Sequence, residues 1–165
     1  MTQDSDRRSR GNASHLLRVR EIAAFRLGQG RTDVRGWQVY SNDAELIGTV
    51  SSIIVDMTSR AVRYLGLRLD DNRSRSANAE VIVPIGSVSR PDDRQVVVVH
   101  ALSRAQLLAA PWVSARPVTR ADEHAALTCF GMQPGTSAGA RDLYASPFFD
   151  EWRLFGGAGS RAALD

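Results

Sequence analysis

The sequence predicts a mainly β fold, in which a small antiparallel β-barrel is followed by short α-helices. Three observations predict it. Between residues 36 and 102, five or six short β-branched segments recur about ten residues apart. Gly, Pro, Asn and Asp separate these segments, and no helical apolar period lies between them. A chain of 165 residues that is 43% hydrophobic and 24% charged suits one globular domain.

The strands are predicted, in chain order, from runs of apolar residues. The run at 45–56 is long and carries Gly48 where a bulge would fit. Residues 62–69 alternate apolar and polar side chains, which is typical of a strand with one face in water. Residues 70–80 are polar, and we expect a flexible loop there. The predicted strands are 37–40, 45–56, 62–69, 81–88 and 95–102, and the predicted inward residues are Val50, Ile53, Val55, Leu65, Leu67, Val83, Val97 and Val99.

Two helices are predicted after the barrel. Ser103 can cap a helix at 103–110, which Pro111 would end. Thr119 can cap a second helix at 119–130, whose first turn carries acidic residues as helix N-termini favour. We expect 103–147 to be a helical extension with a closing strand.

The basic residues are unevenly placed along the chain. All 21 are arginine, and residues 1–35 carry a net charge of +4 while residues 36–165 carry −1. We expect 1–14 to be a disordered basic arm and 15–35 to be a segment leading into the barrel. Such an arm suits an anionic membrane or nucleic acid, or is a solvated tail. RNA binding is disfavoured because residues 1–20 contain no aromatic side chain.

The sequence offers no recognisable enzyme site. Its three histidines, His15, His100 and His124, have no metal-ligand spacing, and no phosphate-binding glycine motif opens a helix. A single cysteine, Cys129, excludes an internal disulfide. No stretch of 18 apolar residues predicts a transmembrane helix. We therefore expect a protein without catalytic activity.

The C-terminal tail, 148–165, is aromatic and then glycine-rich. Its aromatic residues either pack back on the barrel or dock on another protein. Because the strands already supply a core, we expect the second. The predicted partner-interface residues are Phe148, Phe149, Trp152 and Phe155.

The order of several short motifs resembles a known family. The stretch from Asp33-Val-Arg-Gly-Trp through Gly-Thr-Val to Asp56 is followed by Arg63-Tyr-Leu and Val-Ile-Val-Pro84. This pattern resembles a PRC-barrel, the barrel of the photosynthetic reaction centre H subunit and of a ribosome maturation factor. Flanking segments, including Leu143-Tyr-Ala-Ser-Pro147, are similar to those of the H subunit. The resemblance places the PRC-barrel at 36–102.

The resemblance implies a non-catalytic cytoplasmic subunit that caps the quinone side of the reaction centre L and M subunits. Such a subunit stabilises the complex and assists proton transfer to the secondary quinone. It binds no cofactor directly, because quinone and bacteriochlorophyll lie in the partner subunits. The family's transmembrane helix has no counterpart here, so either it was removed from this chain or a separate transmembrane H-type anchor supplies it; the beginning Met-Thr-Gln-Asp favours the second. Light-harvesting polypeptides are further candidate partners, and the expected location is the cytoplasmic face of the photosynthetic inner membrane, as a peripheral protein.

The resemblance also implies site residues. Asp56, Arg63 and His15 match positions that serve proton transfer in the family, whereas the family's turn acid falls on Ser59. A turn-capping acid and a surface cation are equally open readings of Asp56 and Arg63.

The lead-in segment supplies the predicted contacts with lipid. Arg18 and Arg20 are expected at a partner surface or at anionic lipid headgroups.

The alternative function is a stand-alone PRC-barrel adaptor for a ribosomal or other protein, and nucleic acid is not expected as a partner.

Overall fold

The computed structural model describes residues 16–19, 32–70, 79–91, 94–113, 117–133 and 143–155. Within these ranges the chain forms seven strands, three α-helices and two 3-10 helices. The strands are β1 (Leu16–Val19), β2 (Gln38–Tyr40), β3 (Leu46–Asp56), β4 (Ala61–Leu69), β5 (Val81–Pro84), β6 (Val88–Ser89) and β7 (Val96–Val99). The α-helices are α1 (Arg104–Ala109), α2 (Arg120–Cys129) and α3 (Trp152–Phe155), and the 3-10 helices are Ile85–Ser87 and Pro147–Phe149.

The strands form one curled sheet, a nearly closed barrel. Its order is β5-β4-β3-β2-β7-β6, and β1 pairs with β3 beside this path. The pairs are antiparallel as predicted, except that β2 and β7 are parallel. The physical reason lies at 81–88, predicted as one strand, where the 3-10 turn Ile85–Ser87 bends the chain without reversing it. Because β5 and β6 keep one direction, β7 returns alongside β2 with the same direction.

The predicted core is confirmed. All eight residues predicted to point inward are at most 1% exposed. Burial also extends to both faces of the C-terminal half of β3, where Ile54 is as buried as Ile53. The predicted wet face of 62–69 is only partly in water: Arg68 is exposed and Arg63 half-buried, but Gly66 is buried. Elements outside the strands therefore cover part of the outer face of the barrel.

The N-terminal strand β1 was not predicted as a strand. Its four residues pair with the end of β3, with Leu16 opposite Asp56 and Val19 opposite Ile53. The remainder of the predicted arm and of the lead-in segment lies outside the described residues, except for 32–35. The loop predicted at 70–80 likewise falls mostly outside them.

Both predicted helices form close to their predicted limits. Ser103 caps α1 and Thr119 caps α2, each with a capping box completed by the third helical residue, Gln106 or Asp122. In place of the predicted closing strand, residues 143–149 form turns and a 3-10 helix that starts after Ser146.

The C-terminal aromatic segment packs on the barrel, and for Phe149 this contradicts the prediction that it faces a partner; for Phe148, Trp152 and Phe155 a partner contact stays a prediction. Phe149 is 5% exposed and Leu154 is 1% exposed, so both belong to the core. The backbone of Pro147 and Phe148 approaches Gly86 so closely that a Cβ there would collide with it. Phe148 and Phe155 are partly buried against the core, whereas the side chain of Trp152 lies outside the described residues. None of the described helices is long and apolar enough to cross a membrane.

Candidate functional site

The turn between β3 and β4 brings together two of the residues predicted to serve proton transfer. Asp56 ends β3, and Arg63 lies in the first half of β4. An Arg63 Nη2 atom lies 3.5 Å from Asp56 Oδ2 and donates to Ser59 Oγ at 3.0 Å. Ser59 Oγ in turn donates to Asp56 Oδ2 at 2.8 Å. Ser59, where the resemblance implied an acid in other sequences, therefore contributes a hydroxyl to this group.

The Asp56 carboxylate is stabilised in its ionised form. Burial alone would raise its pKa, but hydrogen bonds from Ser59 and from the backbone N–H of Thr58, 2.9 Å from Oδ1, outweigh burial. Together with the nearby Arg63 charge they lower the pKa of Asp56 below its ordinary value. Asp56 is thus both a turn cap and a charged group beside Arg63, and the two readings of the sequence are compatible.

Arg63 connects this turn to a second buried carboxylate, on α2. Its guanidinium carbon lies 4.1 Å from the centre of the Tyr144 ring, a cation–π contact. The Tyr144 hydroxyl donates to Glu123 Oε1 at 2.6 Å, and the Tyr64 hydroxyl donates to the same oxygen at 2.9 Å. Glu123 is only 6% exposed. These residues form one continuous cluster, which we call the Asp56–Glu123 cluster: Asp56, Ser59, Arg63, Tyr64, Glu123 and Tyr144.

Phe149 holds the two tyrosines of the cluster in place. Its ring makes edge-to-face contacts with Tyr64 and Tyr144, with ring centres 5.4 and 4.9 Å apart. Burial is the largest cause of a raised pKa in both tyrosines, and the Glu123 charge raises it further. Both phenols therefore remain protonated donors to the carboxylate at neutral pH.

Sequence reasoning missed Glu123, Tyr64 and Tyr144. The sequence marked Glu123 only as an acidic residue in the first turn of a helix, and the side chains of such residues are usually exposed. Tyr64 was one apolar position in an alternating strand. Because their contacts join positions 21 to 59 residues apart in the chain, no local pattern connects them.

A second charged pair lies inside the barrel and concerns Arg18. Its side chain is 6% exposed, and Nε lies 2.8 Å from Oε2 of Glu80, which is fully buried. Ser51 and Ser52 donate to the two oxygens of Glu80 at 2.6 and 3.1 Å. The prediction that Arg18 faces lipid or a partner is therefore wrong, because its charge pairs with an acid inside the protein. His15 and Arg20 lie outside the described residues.

The cluster has the chemistry of charge and proton exchange. The described ranges contain no group of three or more His, Cys, Asp or Glu side chains that could hold a metal ion. What the Asp56–Glu123 cluster offers instead is two carboxylates, one guanidinium and three hydroxyls in mutual contact. Carboxyl and hydroxyl groups in contact can exchange protons with water or with one another.

Comparisons with known proteins identify the barrel. Residues 30–102 match the PRC-barrel domain family, and the match spans β2 to β7. A search among curated proteins finds no match for the chain. Residues 30–102 therefore form a PRC-barrel domain, as the sequence motifs predicted, and this assignment covers both ends of the Asp56–Arg63 turn.

Proposed function

We propose that this chain, which contains a PRC-barrel domain at residues 30–102, is a non-catalytic H-type subunit of a photosynthetic reaction centre. In this role it covers the quinone side of the L and M subunits, stabilises the complex and assists proton transfer to the secondary quinone. The observation that supports the proposal is the Asp56–Glu123 cluster, in which Asp56 and Arg63, the positions that the resemblance links to proton transfer, lie in contact.

The geometry of the cluster supports this role in two ways. Ser59, in the turn between β3 and β4, is exposed and donates to Asp56, so water reaches one end of the cluster. From there the contacts continue through Tyr144 to Glu123, which is almost completely buried. A series of ionisable groups from a wet end to a buried end is what a proton-supplying subunit requires.

The proposed partners follow from this role. The L and M subunits carry the quinones and bacteriochlorophyll, and this chain binds no cofactor itself. A separate transmembrane H-type polypeptide is a further partner, and the chain lies peripherally on the cytoplasmic face of the photosynthetic membrane. Light-harvesting polypeptides are further neighbours in such a membrane.

The test is reconstitution with reaction-centre cores from which the H subunit has been removed. The purified chain should bind these cores and speed the proton-coupled second reduction of the secondary quinone after a flash. Asp56→Asn should slow this step and leave primary charge separation unchanged. Glu45→Gln is the matched control, because its carboxylate lies at the opposite end of β3 and is 58% exposed.

Two outcomes would overturn the proposal. The first is a chain that does not bind the depleted cores, and the second is flash-induced proton uptake that is the same with and without the chain. Enrichment of ribosomal proteins on the immobilised chain, with no binding to reaction-centre cores, would favour the stand-alone adaptor instead.

A further inference from the structure

Arg63 carries the positive charge of the Asp56–Glu123 cluster, yet its polar contacts hold it only loosely. The carboxylate oxygen paired with it, on Asp56, is 3.5 Å away, whereas a charge-assisted hydrogen bond measures about 2.8 Å. The closer acceptor, Ser59 at 3.0 Å, is a neutral hydroxyl in an exposed turn. The buried Nε atom of Arg63 has no hydrogen-bond partner among the described residues. These polar contacts alone do not fix the guanidinium beside the turn.

The face of the Tyr144 ring gives Arg63 a further contact. The guanidinium carbon lies 4.1 Å from the ring centre, well inside the distance of about 6 Å at which an aromatic face attracts a cation. Two neighbours orient this ring: Glu123 accepts from its hydroxyl at 2.6 Å, and Phe149 packs edge-to-face against it. Glu123 lies in the first turn of α2 and is buried, so the hydroxyl is anchored to a regular element.

Tyr64 makes the same two contacts without the arginine. Its hydroxyl donates to the same Glu123 oxygen at 2.9 Å, and its ring also meets Phe149 edge-to-face. Of these two described tyrosines, Tyr144 is the one that has the Arg63 guanidinium over its ring. The pair therefore separates support of the Glu123 carboxylate, which both tyrosines give, from contact with Arg63, which Tyr144 gives.

The other acids near Arg63 are engaged by other donors. Glu123 accepts from the two phenols, and Glu151 of the C-terminal segment accepts the backbone N–H of Val62 at 2.6 Å. Asp56 is therefore the carboxylate with which Arg63 pairs, and Glu123 acts on Arg63 through the Tyr144 ring.

We propose that Tyr144 is a positioning residue, whose ring holds the Arg63 guanidinium against the turn at Asp56. Because the Tyr144 hydroxyl donates to a carboxylate, its ring becomes richer in electrons, which strengthens its attraction for a cation. The turn itself stays open to water, since Ser59 is exposed. The inference deepens the proposed function, on which it rests for the proton step, and adds that Tyr144 acts on this step through Arg63.

The first measurement is NMR of the purified full chain. Because the Arg63 side chain lies over an aromatic face, the ring current should shift its proton signals upfield of the other arginines, and Arg63→Lys identifies these signals by their disappearance. Tyr144→Leu should return them to the range of the other arginines. Tyr144→Phe, which keeps the ring without its anchor, should return them part of the way. Tyr64→Phe loses a hydrogen bond to the same Glu123 oxygen and should leave them in place.

The second measurement is the second reduction of the secondary quinone in reaction-centre cores reconstituted with each variant. Tyr144→Leu should slow this step about threefold, the factor that corresponds to the loss of one cation–π contact. Adding Tyr144→Leu to Arg63→Leu should slow it no further than Arg63→Leu alone, because the tyrosine acts through the arginine. Glu45→Gln, at the far end of β3, is the control and should match the parent.

Three results would overturn the inference: Arg63 signals that stay in place in Tyr144→Leu, signals that move as far in Tyr64→Phe as in Tyr144→Phe, or effects of the two leucine substitutions that add. Where Tyr144→Leu does not fold, the comparison of the two phenylalanine variants decides. Failure of the chain to bind reaction-centre cores overturns the proposed function instead. The NMR comparison needs no partner, so it still decides whether Tyr144 positions Arg63.

Discussion

At the scale of single residues, hydrogen bonds to the buried carboxylate of Glu123 hold the Asp56–Glu123 cluster together. A carboxylate that is 6% exposed has little water to solvate it, so protein donors must replace that solvation. Tyr64 and Tyr144 both supply their hydroxyls to Oε1. The two phenols come from β4 and from the segment after α2, so satisfying one charge ties three parts of the chain together.

The first prediction concerns this shared acceptor. Tyr64→Phe and Tyr144→Phe should each lower the free energy of unfolding by about 1.5 kcal/mol, the range for a hydrogen bond to a charged group. The double variant should lose about 1 kcal/mol more than the sum, because it leaves the buried carboxylate with neither phenol. Urea unfolding of the four proteins measures this coupling, and simple additivity would show that Glu123 finds other donors.

The second prediction concerns Asp56 and pH. Because its pKa in the folded protein is lowered from 3.8, the ionised carboxylate contributes stability above that pH. This contribution is lost as the pH falls through the lower folded value. Asp56→Asn should therefore be less stable than the parent at neutral pH, and the difference should shrink below pH 3.8. Urea unfolding across this pH range, with Glu45→Gln as the reference variant, measures the difference in unfolding free energy between the parent and Asp56→Asn. A difference that stays constant with pH would contradict the expectation.

At the scale of elements, the C-terminal segment completes an edge that the strands leave open. The pairing of β4 with β5 ends at Tyr64 opposite Pro84, after which the chain turns away. The next N–H available along the β4 edge, that of Val62, donates to Glu151 of the C-terminal segment. A side-chain carboxylate thus replaces a strand partner and protects an edge that could otherwise pair with another chain.

The third prediction tests whether this segment belongs to the core. Phe149→Ala should cost about 3 kcal/mol of unfolding free energy, because the ring is buried between Tyr64 and Tyr144. Phe155→Ala, at a partly buried position of the same segment, should cost about 1 kcal/mol. Thermal unfolding distinguishes the two variants. Equal and small losses would restore the view of this segment as a partner-binding tail.

The elements that the sequence predicted are those with local signals. The strands of the barrel are predicted by their alternating β-branched residues. The helices α1 and α2 are predicted by capping boxes, each of which lies within four consecutive residues. The features that it did not predict depend on distant partners. Residues 16–19 form β1 because they pair with β3, and Phe149 is buried because its ring packs against Tyr64, from β4, as well as against nearby Tyr144. Asp56 and Arg63 could be placed together because a single turn separates them.

At the scale of the whole molecule, the Arg18–Glu80 pair joins the first strand to the interior of the barrel. Arg18 lies on β1, Glu80 just before β5, and the serines that donate to Glu80 on β3. Glu80 also exchanges two backbone hydrogen bonds with Val113, beyond α1. Gly66 leaves room for these groups, since a Cβ there would collide with Ser52 and Glu80. Distant parts of the chain thus meet at Glu80, three elements through its side chain and backbone position and Val113 through the backbone alone.

The fourth prediction follows from the cost of isolating a buried charge. Arg18→Met should lower the free energy of unfolding by about 3 kcal/mol, because it removes the guanidinium and leaves the Glu80 carboxylate buried. Adding Glu80→Gln should recover part of that loss, since the amide carries no charge; its one oxygen still accepts from a serine hydroxyl, and its NH2 group can donate to the other serine oxygen. The measurement is urea unfolding of the two single variants and the double variant. If the pair joins β1 to the barrel as a unit, the double variant is no less stable than Arg18→Met, whereas losses that add would mean that each charge is stabilised independently.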